Sequence, residues 1–71
     1  MSGKHVVNMA NDIGAFFYAE PKREVAVAGI LDHMKKFWTP RMRQQIVEHL
    51  HHGGEGLEDL PREAVRTLEA R

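Results

Sequence analysis

The amino-acid sequence predicts an all-α fold, a small bundle of three main helices plus a short fourth helix. Three observations predict it. Apolar residues recur at three- and four-residue steps nearly throughout, the spacing of a single helix face. No strand-like alternation persists, and there is no internal repeat or low-complexity tract. Turn signals stand between the periodic stretches, at Pro21, at Thr39-Pro40 and at Gly53-Gly54.

The first helix is carried by Val6, Met9, Ala10, Ile13, Phe16 and Phe17, with Asn8, Asn11 and Asp12 largely off that face. Pro21 ends it, because the residue before a proline, here Glu20, is pushed out of the α region. Gly14 in mid-helix costs about 1 kcal/mol of propensity relative to alanine, which points to close approach of another backbone. Pro21 opens the second helix at its first position. Val27, Ile30, Leu31, Met34, Phe37 and Trp38 supply its apolar face, and Ala26, Ala28 and Gly29 keep part of it narrow. Thr39 is a good N-cap and Pro40 a favoured first helical residue. The second helix therefore ends near Phe37 or Trp38, and a third runs from Pro40 to about His51. Met42, Ile46, Val47 and Leu50 form its stripe, and Gly53-Gly54 supply a left-handed stop. Glu55, Gly56, Leu57 and Glu58 read as a loop. The fourth helix starts at Leu60 or Pro61, capped by Asp59, and packs through Leu57, Leu60, Ala64, Val65 and Leu68. Its end at Arg71 is expected to fray.

A chain of 71 residues makes one domain, residues 1–71. A core this small leans on a disulfide, a metal or a partner. There is no cysteine, which removes disulfides, thiolate metal sites and cysteine nucleophiles and fits a cytoplasmic location. Support by a partner remains. Ten basic residues balance ten acidic ones, against the basic excess of a nucleic-acid binder. The balance hides an asymmetry. Residues 1–43 hold Lys4, Lys22, Arg23, Lys35, Lys36, Arg41 and Arg43 against Asp12, Glu20, Glu24 and Asp32, whereas residues 44–71 are acidic in the same measure. A dipolar chain steers toward a complementary partner; two ordinary solvated faces account for it equally well. No apolar run approaches the roughly 20 residues of a membrane span. The stretch after Lys4 and His5 is too short for a signal peptide.

The corner from Asp32 to Arg43 concentrates the only tryptophan, Lys35, Lys36, Arg41 and Arg43 around a forced bend. Arg41 and Arg43 fall in the first turn of a helix, where the positive end of the dipole makes cations unfavourable by a few tenths to about 1 kcal/mol. A local rule broken without visible compensation marks a functional spot, and the obvious compensation is an anionic partner surface. Trp, Met and Arg are enriched in interface cores. The competing reading makes Trp38 and Met42 core and the arginines merely solvated. Phe16, Phe17 and Tyr18 subtend about 200 degrees of a helix, so at least one ring is exposed or covered by another chain.

Other constellations carry less. His49, His51 and His52 invite a metal, but adjacent histidines diverge on a helix and metals need convergent ligands; a polar helix end explains them. His33 lies beside Asp32, yet sequence neighbours face different sides of a helix and no nucleophile is near. Gly53-Gly54-Glu55-Gly56 lacks the lysine and hydroxyl of a phosphate loop and follows a helix rather than a strand.

With these residues described, the chain resembles the small delta subunit of soluble, NAD-dependent molybdenum formate dehydrogenases. Met9 to Phe17 (Met-Ala-Asn-Asp-Ile-Gly-Ala-Phe-Phe) is similar to that family's amino-terminal signature. Ile30 to Arg43, centred on Phe37-Trp38-Thr39-Pro40-Arg41-Met42-Arg43, is similar to its central one. His49-Leu50 with Gly53-Gly54-Glu55-Gly56-Leu57 is similar to its carboxyl-terminal one. The resemblance implies a non-catalytic accessory subunit, associated with stability or assembly of the enzyme. It also implies that the molybdenum–bis-pterin guanine dinucleotide, iron–sulfur clusters and FMN belong to other subunits. This chain has neither cysteines for clusters nor a dinucleotide fingerprint, so no cofactor of its own is expected. The expected partner is the catalytic subunit of formate dehydrogenase, with Phe17, Trp38, Arg41, Met42 and Arg43 as contacts. When isolated, the same apolar surface offers itself to a second copy. Two rival readings are a transient factor for molybdenum-cofactor insertion and a small helix-turn-helix module placing Arg41 and Arg43 on DNA. Zero net charge stands against the last, and neither nucleic acid nor membrane is expected as a partner.

Overall fold

The computed structural model describes residues 2–70; the fraying expected at Arg71 falls outside them. Four helices follow one another, α1 (Ser2–Phe17), α2 (Arg23–Phe37), α3 (Pro40–His51) and α4 (Asp59–Ala70), with no strand among the described residues. The fourth helix matches the third in length, at 12 residues each. α2 lies chiefly on α4, while α1 touches all three other helices.

The core draws on every helix: Val6, Val7 and Ala10 from α1, Ala26, Val27, Ile30, Leu31 and Met34 from α2, Ile46 from α3, and Ala64 and Val65 from α4. Trp38 and Leu57, in the connections, are buried with them. No buried side-chain nitrogen or oxygen lacks a partner among the described residues, so no side chain adds an unpaired polar group to the interior.

The expected bends form for the expected reasons. Thr39 is extended at φ −71°, ψ 160°, and its Oγ1 accepts the Met42 N–H at 3.2 Å, with Pro40 opening α3. Past α3, Gly53 and Gly54 take φ of 109° and 65°. The Gly54 N–H bonds His49 O at 2.9 Å and the Gly53 N–H bonds Leu50 O at 3.1 Å, the reciprocal pattern that closes a helix on a left-handed glycine.

Three expectations are corrected. α2 begins at Arg23 rather than Pro21; Lys22 is the extended N-cap residue, and the Glu20 carboxylate takes its N–H at 3.3 Å. Pro21 therefore lies in the connection. Phe16 and Phe37, assigned to apolar core faces, are 81% and 72% exposed. The reason for Phe16 is angular: it stands about 100 degrees round the helix from Phe17. Gly14 makes room not for a backbone but for the buried ring of Pro61, whose Cδ lies 2.8 Å from where a Cβ would be.

Candidate protein-docking surface

Several polar side chains tie the chain's own connections and helices together. Asn11, off the apolar face of α1, spans to the loop before α4: its Nδ2 donates to Gly56 O at 2.8 Å and its Oδ1 accepts the Glu58 N–H at 2.9 Å. Arg62 reaches back from α4, its Nη2 donating to Gly54 O at 2.8 Å and Leu57 O at 3.1 Å. His49 Nε2 meets Glu55 O at 2.7 Å. Arg23 bridges α2 to α4 through Glu63 at 2.7 Å and Asp59 at 3.1 Å. The hydrogen bond to Glu63, with the nearby Asp59 charge, pushes the Arg23 pKa further up and keeps it cationic. Sequence reasoning missed Asn11 and Arg62, because their partners are backbone carbonyls and amides brought near only by folding.

The three histidines near the end of α3 are spread among different partners. His49 holds Glu55 O, His51 pairs with Glu69 of α4, and His52 Nδ1 meets Glu48 O at 2.8 Å. No three His, Asp or Glu side chains gather as a metal site among the described residues.

The corner after α2 differs from its expected form. Trp38 is 4% exposed and sits in the chain's own core, so its ring is not presented at the surface. Arg43 turns back toward α2, its Nη1 donating to Trp38 O at 2.6 Å, Met34 O at 3.3 Å and Lys35 O at 3.4 Å. The compensation for a cation at the start of α3 is thus internal: Arg43 meets the carbonyls and negative dipole end of α2. Met42 is half-buried against the core and Arg41 is exposed. Phe17 is half-buried too, its ring lying over Gly29, where an added Cβ would collide with it. The five candidate contacts therefore do not form one open patch.

The open patch lies on the α1–α2 side. Phe16 and Phe17 meet edge-to-face with centroids 5.3 Å apart. With Asp12, Ile13 and His33 they line a shallow groove. The His33 and Phe37 rings meet at a tilt of 42° with centroids 4.8 Å apart, which extends the aromatic surface toward the end of α2. Tyr18, just past α1, is 80% exposed but outside this groove. Spacing alone hinted at exposed aromatics in Phe16-Phe17-Tyr18; nothing in the sequence joined them to His33 and Phe37.

Fold and surface together define a small four-helix protein with several polar groups that staple its own loops and with a shallow aromatic groove on its α1–α2 side. No helix of the described residues is long and apolar enough to cross a membrane. The chain belongs to the family of NADH-dependent formate dehydrogenase delta subunits, FdsD, whose family model matches residues 5–65. No curated protein and no solved structure matches it.

Proposed function

We propose that this chain is a non-catalytic accessory subunit that docks on the catalytic subunit of its formate dehydrogenase and stabilises the enzyme or helps assemble it. Family membership supplies the enzyme. The observation that supports docking is the exposure of Phe16 and Phe37, which Phe17 and His33 join into one aromatic surface. Aromatic side chains bury about 150–250 Å² each when covered. Two such rings, joined through Phe17 and His33, approach the largest apolar patch of a typical monomer, about 300–600 Å².

Arg41, Met42 and Phe17 are kept as contacts, with Phe37 added. Trp38 and Arg43 act from beneath, fixing the bend that presents Phe37 and Arg41. The molybdenum cofactor, iron–sulfur clusters and FMN are assigned to the other subunits. The test is co-expression with the catalytic subunit, followed by size-exclusion chromatography. Phe37→Ser and Arg41→Glu, both at exposed positions, should lower the amount of chain retained while the chain still folds; Arg41→Glu should melt no lower than the unaltered chain, since an anion suits the first turn of α3. Retention equal to the unaltered chain refutes these contacts. Stoichiometric presence in purified active enzyme supports a subunit; loss after maturation supports the transient factor instead.

A further inference from the structure

We infer that the α1–α2 groove receives an amphipathic helix of that catalytic subunit, apolar toward Ile13, Phe16 and Phe17 and carrying a lysine or arginine opposite Asp12. This rests on the docking reading above and names the surface and the chemistry that meets it.

The groove lies between two packed helices, with Ile13, Phe16 and Phe17 on one wall and His33 on the other. Its floor is sealed, because the Phe17 ring occupies the space over Gly29. From Gly29 to Phe37, where the aromatic surface ends, is about two helical turns, or about 12 Å. Both walls are helices, whose mid-helix backbone groups pair within the helix; only the last carbonyls of α1 lack such partners. A segment lying here finds no ladder of backbone donors and acceptors to pair with, and unpaired amides against apolar surface are costly. The occupant must satisfy its own backbone, which a helix does. Seating an apolar helix face between two helices is a recurrent recognition mode.

Charge decides the rest. Asp12 lines the groove and forms no ion pair among the described residues. On α2, Asp32 is already met by Lys36 at 3.3 Å. The groove therefore offers one uncompensated carboxylate beside apolar rings, and a cation on the incoming helix is its complement.

The experiment measures binding of the full chain to immobilised catalytic subunit that was expressed without it. Phe16→Ser should weaken binding about tenfold or more, as removal of an aromatic anchor does. Asp12→Lys should weaken it by about tenfold, and Asp12→Asn should flatten the salt dependence of the unaltered chain. Tyr18→Ser, outside the groove, should stay within about twofold. Phe16 and Asp12 are both exposed, so unchanged melting by circular dichroism accompanies each variant. If Phe16→Ser and Asp12→Lys bind like the unaltered chain while Phe37→Ser and Arg41→Glu do not, the groove assignment falls and docking stands. Equal weakening by Tyr18→Ser also overturns it. So does self-association of the unaltered chain that Phe16→Ser abolishes without altering affinity for the catalytic subunit, since the occupant is then a second copy. Failure of the unaltered chain to bind overturns docking and groove together.

Discussion

Replacing Gly14 by alanine should destabilise this protein even though alanine is the better helix former. The helical gain is about 1 kcal/mol. Against it, the new methyl would stand 2.8 Å from Pro61 Cδ and 3.2 Å from Cγ, where carbon atoms prefer about 3.5–4.0 Å. The proline ring is buried and fixed to the first turn of α4, so it cannot swing aside; α1 and α4 must part. Overpacking of this kind costs about 1–3 kcal/mol. The net loss should be about 1 kcal/mol, which for a domain of this size lowers the melting temperature by about 4–8 °C. The decisive arm is a double-mutant cycle. In a Pro61→Ala background the clash is gone, and Gly14→Ala should stabilise by about 1 kcal/mol, giving a coupling of about 2 kcal/mol. Thermal and urea unfolding, followed by circular dichroism and by the fluorescence of Trp38, measure all four proteins. The same sign of effect in both backgrounds would show that the α1–α4 contact is not what requires glycine.

Trp38→Ala should cost about 3–5 kcal/mol, as truncation of a buried aromatic does. Total stability for 71 residues is about 4–11 kcal/mol, so this variant should be largely unfolded on warming, and Trp38→Phe much less so. Arg43→Gln should lower stability by about 1–2 kcal/mol through the lost bonds to the α2 carbonyls; unchanged stability with weakened complex formation would instead place Arg43 at the partner. Asn11→Ala should cost about 1–2 kcal/mol and speed hydrogen exchange at the Glu58 amide, and equal exchange would count against the clamp. Arg23→Gln should lower the melting temperature slightly, with a difference that shrinks as salt is added. Its raised pKa places its stabilisation below the unfolded value, to be lost only as pH climbs through the still higher folded one. A titration from about pH 5 to about pH 9 should therefore show no Arg23-dependent change in stability.

Helix boundaries were legible because they are local events. The threonine cap, the proline at the start of α3 and the left-handed glycines after it each act within a few residues, where φ, ψ and one hydrogen bond decide the outcome. The start of α2 was misplaced because Pro21 suits either a first helical turn or the connection before it, and the Glu20 side chain settled which. The aromatic surplus was visible as consecutive rings, but which rings were exposed was not. Phe37 and Trp38 are neighbours with opposite fates, one open and one buried, because Phe37 is the last residue of α2 whereas Trp38 is the extended cap residue after it, in the bend that turns into the core.

Sequence alone, then, determined an all-helical chain without cysteine chemistry, bent at Thr39-Pro40, with more aromatic surface than so small an interior can absorb. Tertiary structure decided where that surface lies and what the basic corner does. Arg43 meets the end of α2 and Phe17 covers Gly29 only once the helices pack, since such contacts depend on angles and distances between elements that no local rule encodes.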